Sequence, residues 1–239
     1  MDIADYIITI PLFKGLTRKD GHEVSRIAKI KIFEKDQKVF TEGEEGDGIY
    51  LILQGQVRVY KISSEGKEQT YHIFGPGESF GEVVLFTEGG FPAYAESVTR
   101  TSLLFFPRND FISVLKKNSS ISINMIATLS RRLREFSILI ENLSLKETPE
   151  RFAAYLLSLS KEHNDSSEVD LGISKGQLAS LLGTVPSTLS RILSKMNSLG
   201  VIKSNGSKIR ILDHAKLEKI ALTGIEPKPS GVKEIGETD

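Results

Sequence analysis

The chain has 239 residues, 39% of them hydrophobic and 26% charged, with 31 Lys and Arg balanced by 31 Asp and Glu and no cysteine. This globular composition excludes global disorder and collagen-like repeats, and the missing thiols exclude disulfides, zinc–thiolate sites, a cysteine nucleophile and a cysteine-ligated iron–sulfur cluster. No apolar run approaches the ~20 residues that span a bilayer, and the start MDIADYIITIPLF lacks a basic n-region and a cleavage site, so a cytoplasmic protein with no membrane partner is expected.

Residues 8–107 carry short apolar stretches separated by glycine-bearing turn signals: Ile49 to Leu53, Val57 to Ile62, Gln69 to Phe74 and Ser102 to Phe106. Strands at this spacing predict an all-β barrel or sandwich, and Ser64-Glu65-Gly66 reads as a hairpin tip. Asn109 is the expected N-cap of a short helix through Leu115. A longer helix is predicted over 120–143, where Ile126, Leu129, Leu133, Phe136, Ile140 and Leu143 recur at spacings of three and four. That a/d seam, flanked by Arg131, Arg132, Arg134, Glu135 and Glu141, predicts pairing with a second copy of the chain.

A second small domain follows over 147–223. Thr148, Pro149 and Glu150 have the order of a cap, an N1 proline and a first-turn acid, and Phe152, Leu156 and Leu159 mark the buried face of that helix. Ser174-Lys175-Gly176-Gln177 is a capping box opening a short helix through Leu182. Gly183 turns the chain, and a second helix runs from about Pro186 to Leu199 with Gly200 as its stop. Leu189, Ile192, Leu193 and Met196 fall on its inner side; Ser187, Thr188, Ser190, Arg191, Ser194 and Lys195 fall outside. A helix-turn-helix of this kind sets its second helix into a DNA major groove. A hairpin around Asn205-Gly206 follows, and from Ser174 to Arg210 every charged side chain is basic: Lys175, Arg191, Lys195, Lys203, Lys208 and Arg210. A basic surface inside a neutral chain is the electrostatic footprint of a nucleic-acid binder. Past Gly224 the tail IEPKPSGVKEIGETD has no apolar period and is expected to be disordered.

Taken together, these motifs resemble the catabolite activator / fumarate–nitrate reduction regulator (CRP/FNR) family of bacterial transcription factors, from Pro11 to Ala221. Ile10-Pro11-Leu12-Phe13-Lys14-Gly15-Leu16 resembles the entry helix of that family's β-roll, and Gly46-Asp47-Gly48-Ile49-Tyr50-Leu51-Ile52-Leu53-Gln54-Gly55 its first strand pair. Phe80-Gly81-Glu82 is similar to the start of its phosphate-binding cassette. Ser130-Arg131-Arg132-Leu133 is similar to part of its dimerisation helix, and Gly183 to Arg191 to its recognition segment.

The resemblance implies an α+β chain: a cyclic-nucleotide-binding-type β-roll over 1–118, a dimerisation helix and hinge over 119–146, a winged helix-turn-helix over 147–223, and the tail 224–239. It implies a homodimer that binds double-stranded DNA at an inverted repeat, contacts RNA polymerase and answers a small-molecule or gas effector. Arg191 should read guanine, while Ser174, Lys175 and Thr188 should contact phosphate; Gln177, Ser187, Ser190, Lys195, Lys203 and Lys208 complete the expected DNA surface. No enzyme is expected, because no nucleophile triad, Walker loop or metal cluster stands out. A nucleotide-responsive regulatory subunit of an enzyme is the alternative, since the same β-roll serves kinases and channels.

Departures from the family pattern bear on the effector. Where cyclic-AMP binders carry Arg-Ser, this chain has Pro92-Ala93, and where they carry Thr-Ser on the central helix it has Phe136-Ser137. An anion would enter without its counter-charge, so cyclic AMP is not expected, and Glu82 reads as a remnant rather than a ribose ligand. The candidate pocket is apolar, Phe80, Gly81, Glu82, Phe86, Phe91, Pro92 and Tyr94 against Leu129, Leu133 and Phe136, and the favoured alternative for most of these side chains is a packed core. Phe91 to Glu96 resembles the nitric-oxide and redox branches, some of which carry haem. His72 is then the candidate axial ligand ahead of His22, His163, His214, Met125 and Met196, and no metal site is expected from histidine spacing.

Overall fold

The computed structural model describes residues 2–225; from residue 226 onward the expected disordered tail lies outside the described residues. The chain divides into two compact units between Ile138 and Leu139.

The first unit opens with α1 (Ile3–Ile7), a 3-10 turn at Pro11–Phe13 and α2 (Arg18–Ile27). Thr17 and Asp20 cap α2 reciprocally, satisfying two N–H groups that a helix start leaves free. Strands β1 (Lys29–Phe33), β2 (Lys38–Phe40), β3 (Gly48–Gln54), β4 (Val57–Ile62), β5 (Glu68–Phe74) and β6 (Ser79–Phe80) come next. The short helix α3 (Val83–Phe86) then precedes β7 (Tyr94–Ser97) and β8 (Thr101–Pro107). They form two four-stranded sheets, ordered β1-β8-β3-β6 and β2-β7-β4-β5, with antiparallel pairing throughout.

The centre of the first sheet explains why β3 and β8 read as unbroken apolar runs rather than alternating ones. Ile49 and Leu51 of β3, with Leu104 and Phe106 of β8, join a core with Ile7, Phe13, Phe111, Ile121 and Met125. Tyr50, Ile52, Leu103 and Phe105 point the other way, into an aromatic core with Phe40, Phe74, Phe80 and Phe91. Period-2 alternation sends successive side chains to opposite faces, and here both faces are buried.

After β8 come α4 (Arg108–Lys117) and the 27-residue helix α5 (Ser119–Leu145). Asn109 is not the cap of α4: Pro107 holds the N-cap position and the helix starts at Arg108. The Asn109 carbonyl instead accepts from Ser113 Oγ at 2.9 Å. α5 extends past the predicted range at both ends.

In the second unit α6 (Thr148–Glu162) is followed by β9 (Glu168–Asp170), α7 (Lys175–Leu181), α8 (Pro186–Ser198), β10 (Ile202–Asn205), β11 (Lys208–Ile211) and α9 (His214–Thr223). The cap of α6 differs from expectation. Glu147 is the N-cap residue and its N–H donates to Glu150 Oε2 at 2.7 Å, while Thr148 Oγ1 accepts from Arg151. Arg151 also donates to the Leu182 carbonyl at 2.9 Å and to the Lys146 carbonyl, tying the start of α6 to the end of α7. Two elements of this unit escape the sequence reading. α9 packs on α6, burying Leu217, Ile220 and Ala221. β9 makes the expected hairpin a three-stranded sheet, β10-β11-β9.

Candidate nucleic-acid interface

The capping box at α7 is formed as its residue types dictate. Ser174 Oγ accepts from the Gln177 N–H at 3.2 Å, and Gln177 Oε1 accepts from the Ser174 N–H at 2.9 Å, a pair worth about 1 kcal/mol to the helix start. Ser174 and Lys175 stay exposed, whereas Gln177 is half-buried and occupied by its cap. Beyond the end of α7, Gly183 has a φ of +66°; its N–H reaches the Ser180 carbonyl and the Thr184 N–H reaches the Ala179 carbonyl at 2.9 Å. This paired closure needs a left-handed residue, and it aims the chain into α8 within a few residues.

Inside α8, Leu189, Ile192, Leu193 and Met196 are buried, and Ala179 of α7 is fully enclosed. The outer face presents Ser187, Ser190, Arg191, Ser194 and Lys195 as exposed side chains, with Thr188 half-buried. Thr188 Oγ1 accepts from Arg191 Nη2 at 3.2 Å, so the guanidinium is held along the helix start. No side chain caps α8, Pro186 sits in its first turn and no acid is there. The N-terminal N–H groups and positive dipole end are therefore not met by any acidic or capping side chain of the helix start.

The sheet beside α8 is fastened to it by one amide. Asn197 Nδ2 donates to the Leu193 carbonyl and to Ser204 Oγ, both at 2.8 Å, and Asn197 Oδ1 accepts from the Ser204 N–H at 2.9 Å. Sequence reading missed this contact. The hairpin loop is Gly206-Ser207 rather than Asn205-Gly206, because Asn205 pairs with Lys208 inside the ladder. Lys203 and Lys208 are exposed, but the basic character of the wing is reduced by the unforeseen β9. Arg210 donates to Glu168 Oε2 at 2.8 Å, and that guanidinium holds the Glu168 carboxyl below its ordinary value of 4.5. Lys208 lies across the ladder from Asp170.

The residues expected to form an apolar effector pocket do not gather in one place. Phe80 stacks on Tyr50 with centroids 5.3 Å apart, and Phe91 stacks on Phe40 at 3.7 Å; both belong to the packed aromatic core. Tyr94 stacks on Tyr60 under Lys38. Pro92 is exposed, and its carbonyl accepts from Lys61 Nζ. Phe86, Leu129 and Leu133 are exposed, and Phe136 meets the ring of Tyr71 edge-on.

From the middle of α5 it is Arg132, expected to flank the pairing seam, that enters the roll. Its Nη1 donates to Glu82 Oε2 at 2.8 Å, its Nη2 to the Ser79 carbonyl, and its guanidinium lies 4.7 Å from the Phe74 ring centroid. The two side chains are 13% and 7% exposed. Gly81, at φ +83°, makes the turn that carries Glu82 inward, and Ser79 Oγ donates to Glu82 Oε1 at 2.5 Å.

His72 Nε2 is turned to Glu78 at 3.7 Å and its ring packs edge-on against Phe74. His163 Nδ1 lies 2.8 Å from the Leu159 carbonyl. Among the described residues no group of three or more His, Asp or Glu is disposed to hold a metal ion, and no helix is long and apolar enough to cross a membrane. The predicted seam on α5 is bare: Ile126 is 64% exposed, Leu133 69% and Ile140 65%, with Leu143 half-buried.

Comparison with known proteins agrees with these two units. The cyclic nucleotide-binding domain family matches residues 30–118, and the Crp-like helix-turn-helix domain family matches residues 150–220. The Cyclic AMP receptor protein of Thermus thermophilus is 32% identical over 215 residues, covering 88% of this chain and 96% of that protein. The Fumarate and nitrate reduction regulatory protein of Vibrio cholerae is 26% identical over 208 residues, 84% of this chain and 82% of that protein. Among solved structures, FixK2 from Bradyrhizobium japonicum superposes with a TM-score of 0.71 at 24% identity, over 81% of this chain and 96% of that one.

Proposed function

Because this chain belongs to the CRP/FNR family of DNA-binding transcription regulators, we propose that it acts as a cytoplasmic homodimer that reads an inverted-repeat operator under the control of an effector. The observation that carries the reading is the outer face of α8: hydroxyls and two cations, no acid in the first turn and an uncapped helix start. Arg191, held by Thr188, reads a guanine edge by bidentate hydrogen bonds. Ser174, Lys175, Lys203 and Lys208 bind phosphate and set register. The Asn197 amide keeps the wing at a fixed distance from α8, so the wing lysines and Arg191 engage the duplex together.

Homodimerisation rests on the exposed seam of α5. An apolar stripe this long on a helix surface calls for a partner helix, and a paired molecule carries two recognition helices, one for each half-site. RNA polymerase is the partner expected at the promoter. The effector is not cyclic AMP: Glu82 is already neutralised by Arg132, and Pro92 supplies neither charge nor N–H to a cyclic phosphate.

A duplex-binding titration at several salt concentrations tests the reading. The logarithm of the affinity should fall linearly with log salt, with a slope set by the phosphates contacted. Absence of salt-dependent affinity for any duplex would revive the reading as an enzyme's regulatory subunit.

A further inference from the structure

The tip of the wing hairpin carries the chain's one Asn-Gly step, Asn205-Gly206, among seven asparagines. Asn118, Asn124 and Asn197 donate their side-chain amides to the carbonyls of Val114, Leu12 and Leu193. Asn205 is exposed, and among the described residues no hydrogen bond holds its amide. Gly206 follows at φ +62°, in the left-handed region that favours glycine. Nothing lies within 4 Å of where a Cβ on Gly206 would be, and among the described residues no oxygen accepts from its N–H. An electrophilic amide carbon, the peptide nitrogen that follows it and open access for water thus meet at one exposed turn.

Position 205 also sits among the cations of the wing. Asn205 lies across the ladder from Lys208, and Lys203 across from Arg210. All four are exposed while Ile202, Ile209 and Ile211 are buried, so the four side chains share the outer face. On that face Arg210 is already paired with Glu168. Asp170, across from Lys208 on its other side, accepts from the Gly172 N–H at 3.1 Å. Lys208 itself forms no ion pair among the described residues.

We propose that Asn205-Gly206 is a self-modification site, where the folded chain converts an amide to a carboxylate and the wing thereby loses a phosphate contact. The Gly206 nitrogen, having given its proton to a base in solvent, attacks Asn205 Cγ. The N–Cγ bond forms, the Cγ–Nδ2 bond breaks, and the amide leaves as ammonia from a cyclic imide. Water then opens the ring. Cleavage of the N–Cγ bond gives an aspartyl residue, and cleavage of the backbone C–N bond gives an isoaspartyl linkage. The sum is hydrolysis of one amide with no electron transferred, and either product is negative at neutral pH. The new charge lies beside Lys208, and opposite charges across a ladder attract, so Lys208 is occupied as Arg210 is by Glu168. Phosphate then meets an anion where it met a cation. The chemical step stands on the turn alone; the loss of duplex affinity rests on the DNA-binding reading above.

Incubation of the full chain for days at neutral and at mildly alkaline pH, followed by mass spectrometry of tryptic peptides, tests the site. The peptide Ser204–Lys208 should gain the mass of an amide-to-acid conversion before any other asparagine-bearing peptide, and faster in the alkaline arm. Asn205→Gln should abolish this early conversion. An intact amide at 205 while another asparagine converts overturns the site, and so does conversion confined to chain unfolded in urea.

Duplex titrations read the consequence separately. Asn205→Asp should bind every duplex about tenfold more weakly than Asn205→Gln at ~0.1 M salt, the loss of one phosphate contact, with base preference unchanged. Lys208→Ala should lower affinity less in the Asn205→Asp chain than in the wild type. Equal affinity of Asn205→Asp and Asn205→Gln, or an equal effect of Lys208→Ala in both chains, overturns the consequence. Early conversion at 205 in a protein with no duplex affinity in any form would instead condemn the DNA-binding reading and leave the modification site standing.

Discussion

Arg191 and Lys175 lie on neighbouring helices and are both exposed, yet their substitution should read differently. A guanidinium braced by Thr188 Oγ1 presents its fork to a base edge, and Arg191→Ala should lose about 1–3 kcal/mol of discrimination at one base pair. Lys175→Ala should weaken all sequences alike and lower the salt slope by about one. Parallel gel shifts on matched and mismatched duplexes check this, and unchanged base preference in Arg191→Ala would refute its role. Asn197→Ala should retain base preference while losing the phosphate contacts of the wing, read as a smaller salt slope; Asn197→Asp, which keeps the Oδ1 acceptor for the Ser204 N–H, should fall between. The Ser174–Gln177 box was legible because both partners lie within one helical turn. Asn197 with Ser204 and Arg132 with Glu82 were not, because an amide or a guanidinium carries no signal for a partner that only the fold brings near.

Elements show the same division between local and distant information. β3, β4, β5 and β8 announce themselves through apolar runs and flanking turns, and α5 through its period. β9 does not: three residues, Glu168 and Asp170 outward around the buried Val169, are too few to establish a period. That strand supplies the acid that occupies Arg210, so the electrostatics of the wing could not be read from Ser174 to Arg210 alone. Glu168 has its carboxyl lowered in the fold by Arg210. Its contribution is therefore present above the ordinary value of 4.5 and lost as pH falls through the lower native value. Melting midpoints should drop more steeply with acid below that point in the wild type than in Glu168→Gln; identical pH curves would deny the bridge a role. On α5, Leu133 is 69% exposed and lies on the seam, whereas Leu222 on α9 is 81% exposed and does not. Leu133→Glu should shift the chain to monomer in sedimentation, as burial of such a side chain contributes about 1.5–3 kcal/mol per copy. Leu222→Glu should leave the oligomeric state unchanged, and an equal effect of both would contradict the seam.

At the scale of the whole molecule, equal numbers of acids and bases conceal a segregated distribution. The outer surface of α8 is hydroxylated and basic, while among the described residues the acids of the second unit lie elsewhere, on α5, α6, β9 and α9 and in the segments between them. The order of β-roll, long helix and winged helix-turn-helix was legible because each has its own hydrophobic period and its own turn chemistry. The interior of the roll was not. Phe80 and Phe91 fit either an apolar pocket or a packed core, and periodicity does not name their partners: Phe80 stacks on Tyr50 of the neighbouring strand and Phe91 on Phe40 of the other sheet. The most direct measurement of the central claim is selection of bound duplexes from a random pool, with sedimentation of the winning complex. Two chains per duplex on an inverted repeat, with half-site centres about 34 Å apart, is the predicted result. Enrichment of a single asymmetric site held by one chain, or no enrichment over the starting pool, would contradict it.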